Sequence, residues 1–198
     1  YQLQNLASIE TAKYVNETMK GIQSVNNKFA VHDKAMENIS LIGGDILEFG
    51  VFSGGTINYI AKKLPKQKIY GFDSFEGLPE NWRDGFQKGK FNINKSLPLV
   101  KKNVSLIPGW FDESIPKYLK QKNQNACISY LHIDCDLYSS TKIIFRLLSD
   151  QIITGTVIVF DEYFNYDGWR EGEFLAFQEF VEERNLKYKY LTYNCLHE

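Results

Sequence analysis

The chain has no apolar run approaching the roughly 18 residues that a membrane-crossing helix needs. Its start, Tyr1-Gln-Leu-Gln-Asn, has neither the basic residues nor the apolar stretch of a secretory leader. Cysteine is scarce: Cys127, Cys135 and Cys195 are an odd, scattered set with no CxxC, which argues against a disulfide framework and against a cysteine zinc site. Together these absences predict a reduced, cytoplasmic protein. An excess of one charge is missing too. With 23 basic and 24 acidic residues the net charge is -1, so no bulk field draws the chain to nucleic acid or to a membrane surface. Neither glycine signature for phosphate, GxGxxG or GxxxxGK[ST], occurs. What is present is 198 residues, 43% of them apolar, enough for one domain with its own core and too hydrophobic for disorder.

Periodicity predicts a helix over 8–40, with Ile9, Ala12, Val15, Met19 and Ile22 at spacings of three and four, ended by Gly43-Gly44. Buried strands are expected at 45–52, 68–73, 104–107, 128–134 and 156–160, with a last strand at 187–193. Helices fall between them at 56–64, 112–121, 141–150 and 171–184, the third capped by Ser139-Ser-Thr141. Residues 74–103 read as a long loop, a length that is usually functional. Strands alternating with helices predict an α/β fold with a mostly parallel sheet covered on both faces. Ligands then belong at the carboxyl ends of the strands, near the topological switch point.

The chemistry-bearing residues sit just there. After the strand at 45 comes Glu48-x-Gly50-x-x-x-Gly54, a glycine turn that lets the backbone bend sharply and leads into a helix N-terminus. Its acidic strand end suits a zwitterionic, cationic ligand better than a pyrophosphate. Asp73 ends the next strand, where a carboxylate accepts hydrogen bonds from both hydroxyls of an adenosine ribose or caps the following loop. Asp134 and Asp136 form a D-x-D, whose side chains share one side of an extended backbone. Asp161-Glu162 follows the next strand. If the two strands are neighbours, their ends lie about 5 Å apart and three or four carboxylates share one small volume. Like charges so close call for a hard divalent cation such as Mg²⁺; the competing reading has them capping helices or pairing with Lys142 or Arg170. His132, inside an apolar strand, reads as a core histidine before a catalyst, and His32 and His197 have no partner pattern. Trp110-Phe111 either stacks on a base or packs in the core.

Taken together the segments resemble the class I S-adenosylmethionine-dependent methyltransferases, and more narrowly the macrocin O-methyltransferase family, which includes sugar O-methyltransferases of the mycinamicin and novobiocin pathways. The resemblance rests on G-D-I-L-E-F-G-V-F-S-G-G at 44–55, Y-G-F-D-S-F-E-G-L-P at 70–79 and P-G-W-F at 108–111. It continues through H-I-D-C-D-L-Y-S-S-T at 132–141, V-F-D-E-Y at 159–163 and the helix at 172–180. It implies a Rossmann-like sheet ordered 3-2-1-4-5-7-6, and a cofactor held by Glu48, Gly50, Phe52, Ser53, Gly54, Asp73, Ser74, Gly109, Trp110 and Asp134. It also implies Mg²⁺ on Asp134, Asp161 and Glu162, with Asp136 as general base. The acidic pair of the family is usually Asp-Asp and here is Asp-Glu, and no seventh strand is legible before His197-Glu198. The expected reaction is metal-dependent methylation of a hydroxyl on a sugar or sugar-bearing natural product. Residues 1–40 are a helical segment expected to act as acceptor lid or oligomer contact, and 41–198 form the catalytic domain. Two rival readings remain at this stage: a D-x-D glycosyltransferase and a non-catalytic adenosine-binding module.

Overall fold

The computed structural model describes residues 2–39, 43–123 and 126–194; Cys195 and His197 lie outside them. In chain order the elements are α1 (Gln2–Thr18), β1 (Ser24–Val25), α2 (Lys28–Glu37), β2 (Asp45–Phe49), α3 (Gly55–Lys63), β3 (Ile69–Asp73) and β4 (Val104–Pro108). They continue with α4 (Phe111–Leu119), β5 (Ile128–Ile133), α5 (Tyr138–Leu148), β6 (Ile152–Phe160), a 3₁₀ turn at Trp169–Glu171, α6 (Glu173–Glu183) and β7 (Tyr193–Asn194). The five long strands form one parallel sheet in the order β4-β3-β2-β5-β6.

Successive side chains of a strand face opposite sides, and both sides of this sheet are covered. Leu47, Phe49, Phe72, Leu131 and Ile133 pack on one side with residues of α4, α5 and α6. Ile46, Ile69, Tyr130, Val157 and Val159 pack on the other with residues of α2 and α3. This double burial is why the strands read as apolar runs. From β2 the chain winds outward through β3 to β4, and from β5 outward to β6. The switch point therefore lies between β2 and β5, and the crevice at their carboxyl ends is where a ligand is expected.

The structure departs from the sequence reading in three places. The helix expected over 8–40 is two helices: Gly21 turns the chain with φ +85°, and the Asn27 side chain caps α2 by accepting the Ala30 N–H at 3.1 Å. The strand expected at 187–193 does not join the main sheet. Only Tyr193–Asn194 is extended and paired, in parallel with Ser24–Val25. Its tyrosines instead form a hydroxyl network, with Tyr190 bonded to Tyr14 and Tyr163, and Tyr188 to Tyr190 and Gln178. Among the described residues β6 is consequently an edge strand, bordering an apolar groove of about 1110 Å³ lined by no carboxylate. The expected cap at 139–141 is also absent: α5 starts at Tyr138 without a side-chain cap, and the Ser139 hydroxyl donates to Glu80 at 2.5 Å.

Candidate active site

A cavity of about 580 Å³ opens over the carboxyl ends of β2, β3, β5 and β6. Its β2–β3 side is built on the glycine turn. Gly50 adopts φ +94°, and a Cβ there would lie 1.6 Å from the Asp134 carbonyl oxygen. The close approach that demands glycine is thus between two strands of the protein itself. Gly50 N–H donates to the Phe72 carbonyl, and Asp134 N–H to the Phe49 carbonyl, at 2.9 and 2.8 Å. Phe52 and Ser53 follow in the cavity wall, with Phe52 at φ 45°.

Asp73 clamps this turn. Its Oδ2 accepts the N–H groups of Val51 and Phe52 at 2.8 and 2.7 Å, and its Oδ1 accepts that of Phe75 at 2.6 Å. A carboxylate has about four acceptor positions, so little is left for the two ribose hydroxyls expected there. The Asp73 carboxylate is engaged chiefly in shaping the wall. Ser74 and Trp110 complete this side of the cavity. Three expected cofactor residues do not line it. Gly54 is the left-handed N-cap of α3 (φ 83°), Gly109 (φ 130°) donates its N–H to the main-chain carbonyl of Asp73, and Glu48 is buried beneath the floor with its Oε2 3.0 Å from His132 Nδ1. The two glycines hold the turns that do line it.

The β5–β6 side is acidic. β5 and β6 pair directly, with Ile133 opposite Phe160, so Asp134 and Asp136 after one strand meet Asp161 and Glu162 after the other. Donor atoms of His132, Asp134 and Asp161 all lie within 4.8 Å of one another. Glu162 stands outside that group, with its Oε2 buried and without a hydrogen-bond partner among the described residues. The two aspartates of D-x-D do not simply share a side of a strand, because Asp136 takes φ 66° in the left-handed region. Burial and then the neighbouring Asp161 and Glu162 push Asp134 well above the usual carboxylate range; burial, Asp161 and Asp136 do the same to Glu162. Burial and the Asp161 charge raise Asp136 to about 7, with Arg83 pulling the other way.

Four neighbours of this cluster were not singled out by sequence reasoning. Glu173 at the start of α6 is fully buried, and its Oε1 accepts the N–H groups of Cys135 and Asp136, both at 3.2 Å. It therefore holds Asp136 in its left-handed conformation. Burial and the Asp136 charge raise Glu173 to about 8. Arg83 reaches the cavity from the long loop, its guanidinium 4.0 Å from the Trp82 ring centroid and 5.1 Å from that of Tyr166. Glu80 bonds Ser139, and Lys28 of α2 lies 3.9 Å from Asp161. Each is one polar residue in a polar stretch, and nothing in its spacing marks it. The tandem Trp82-Arg83 was the nearest thing to a signal.

A doubly covered parallel sheet whose switch-point crevice carries a glycine turn and an aspartate at successive strand ends has the form of a Rossmann-like methyltransferase. Residues 10–192 match the macrocin-O-methyltransferase (TylF) family, and the chain belongs to it: it is an S-adenosylmethionine-dependent O-methyltransferase. Solved structures of similar fold include the calicheamicin methyltransferase CalS11, at 23% identity and TM-score 0.68, covering 82% of this chain and 73% of that one. CalS11 in its apo form, described as a TDP-rhamnose 3'-O-methyltransferase, gives 22% identity and TM-score 0.60 over 82% of this chain and 73% of that one. The O-methyltransferase NovP gives 21% and 0.57 over 79% and 72%. No curated protein matches the chain.

Proposed function

We propose that the chain methylates a hydroxyl of a sugar or sugar-bearing small molecule, with a divalent cation at the acidic end of the cleft. The observation that carries the reading is the single cavity that joins the glycine turn, Asp73 and Trp110 to Asp134, Asp136, Asp161 and Glu162. The family membership and the sugar O-methyltransferase described among the similar structures support a sugar acceptor.

The residues present fit a cation. His132 Nε2 and Glu162 Oε2 are buried without hydrogen-bond partners among the described residues, and burial together with the neighbouring carboxylates raises Asp134 and Glu162 well above the usual range. A bound cation would relieve both conditions. Asp134 and Asp161 would hold it, with Glu162 adjoining. When bound, the cofactor supplies an electrophilic methyl group and the cation supplies Lewis acidity toward the acceptor hydroxyl.

The chain's own residues do the rest. Asp136 takes the hydroxyl proton on its carboxylate, a general base held in place by Glu173. The glycine turn, Phe52 and Trp110 position the cofactor, and Arg83 with its aromatic neighbours closes the acceptor side against water. Lys28 of α2 lines the same cavity, which supports a lid role for the segment 1–40 over the oligomer contact that was the other expectation. Most of the acceleration comes from holding oxygen and methyl in line. Calorimetry with S-adenosylhomocysteine, followed by transfer assays on nucleotide-linked deoxysugars and glycosides with and without Mg²⁺, tests the reading. Binding with Mg²⁺-dependent turnover is expected; tight binding with no turnover on any acceptor would leave a non-catalytic adenosine-binding module.

A further inference from the structure

We infer that His132 is itself a ligand of the cation, with Glu48 as its outer partner, so that the site favours a divalent metal that accepts nitrogen, such as Mn²⁺ or Co²⁺, over Mg²⁺. This rests on the cation reading above and adds the donor set and the metal class to it.

His132 is wholly buried, and one of its two ring nitrogens lies within 4.8 Å of a carboxylate oxygen of Asp134 and of Asp161. The strand pattern explains why. His132 and Asp134 are two apart on β5 and share a face, and His132 pairs in register with Glu48 on β2 and Val159 on β6. A core histidine ordinarily has both ring nitrogens satisfied. Here Nδ1 is engaged by Glu48 Oε2 at 3.0 Å, while Nε2 is buried and has no partner among the described residues. With the Nδ1 proton donated to Glu48, Nε2 carries the lone pair. A carboxylate behind a histidine whose other nitrogen faces a metal is the usual outer arrangement of metal-bound imidazole, fixing tautomer and ring angle. His32 does not compete for that role. Its ring stands edge-on to His132 at 4.6 Å, and its Nδ1 bonds the Tyr130 hydroxyl at 2.6 Å. It wedges the His132 ring in place.

One imidazole and two carboxylates form a mixed donor set. Mg²⁺ prefers oxygen ligands and sheds water reluctantly, whereas first-row transition ions accept imidazole readily, with Co²⁺ above Mn²⁺ in affinity. A site with a fixed imidazole therefore discriminates where an all-carboxylate site would not.

The test is pulsed electron paramagnetic resonance of Mn²⁺ added to the full chain, alongside calorimetric titration with Mn²⁺ and Mg²⁺. Nitrogen coupling to bound Mn²⁺ is expected, altered by [¹⁵N]histidine labelling, with Mn²⁺ binding at least tenfold tighter than Mg²⁺. His132→Gln should abolish the coupling and erase the preference while S-adenosylhomocysteine still binds. Glu48→Gln should keep the coupling and weaken Mn²⁺ about tenfold or more. Bound Mn²⁺ without nitrogen coupling in the unaltered protein overturns the ligand assignment and leaves the cation reading standing. No Mn²⁺ or Mg²⁺ binding at all overturns both. The unaltered protein decides the matter even if His132→Gln does not fold.

Discussion

Asp73 accepts three main-chain N–H groups, two of them from the glycine turn. Asp73→Asn turns one oxygen into an amide donor facing N–H groups that need an acceptor. Losing charge-assisted bonds of this kind costs about 1.5–3 kcal/mol. The variant should melt earlier and bind S-adenosylhomocysteine at least tenfold more weakly, which thermal denaturation and calorimetry would show; unchanged affinity would remove Asp73 from the site's architecture. The two aspartates of D-x-D should separate cleanly. An amide cannot take a proton, so Asp136→Asn should lose about 10²–10⁴ in rate at every Mg²⁺ concentration. Asp134→Asn should be partly rescued by added metal. Turnover against Mg²⁺ for both variants is the measurement, and full rescue of Asp136→Asn would move the base elsewhere. At this scale the sequence exposed the residues that punctuate strand ends, since Gly50, Asp73, Asp134 and Asp161 follow apolar runs. It hid Glu173 and Arg83, whose importance lies in burial and in neighbours distant along the chain.

The elements are joined by side chains that finish one another's backbone. Asn103, just before β4, donates its amide to the carbonyls of Ala61, Leu64 and Gln67 at 3.2, 3.2 and 3.0 Å. The Ala61 carbonyl is one that the end of α3 leaves open, and those of Leu64 and Gln67 belong to the turn that follows the helix; a helix end without partners is unstable. Asn103→Ala should therefore cost about 1–2 kcal/mol, read as a lower midpoint in urea with unchanged slope. Because α3 follows the glycine turn, a measurable loss of cofactor affinity should accompany it. All five long strands, and the helices α3 to α6 that connect and follow them, were legible because the central strands, buried on both faces, leave apolar runs and even the half-buried edge strand β4 is mostly apolar. The break between α1 and α2 was less so. Gly21 and Asn27 were both visible, yet the spacing of apolar residues continued past them closely enough to read as one helix. The tail at 187–193 misled for another reason: alternating Tyr and Lys mimic a strand, and the tyrosines spend their polarity on one another's hydroxyls.

For the molecule as a whole, the acidic side of the cleft and the glycine side are carried by different strands, and in the proposed function they serve different ligands. Treatment with a chelator should accordingly abolish turnover and leave S-adenosylhomocysteine affinity within about twofold of the untreated protein. Loss of both together would mean that the cation also organises the cofactor side. No described helix is long and apolar enough to cross a membrane. The small parallel ladder between Ser24–Val25 and Tyr193–Asn194 matters in a different way. It is reinforced by Thr192, whose hydroxyl donates to the Gln23 carbonyl across 169 residues of chain. Joining ends so far apart early would cost entropy that two residue pairs cannot repay. The clasp must therefore close last in folding and open first in fluctuation, once the main sheet between has condensed. Hydrogen exchange should find the amides around residues 24 and 193 opening as one unit, well below the free energy of β2 and β5. The order of assembly is thus inscribed in the topology: sheet first, strap afterwards.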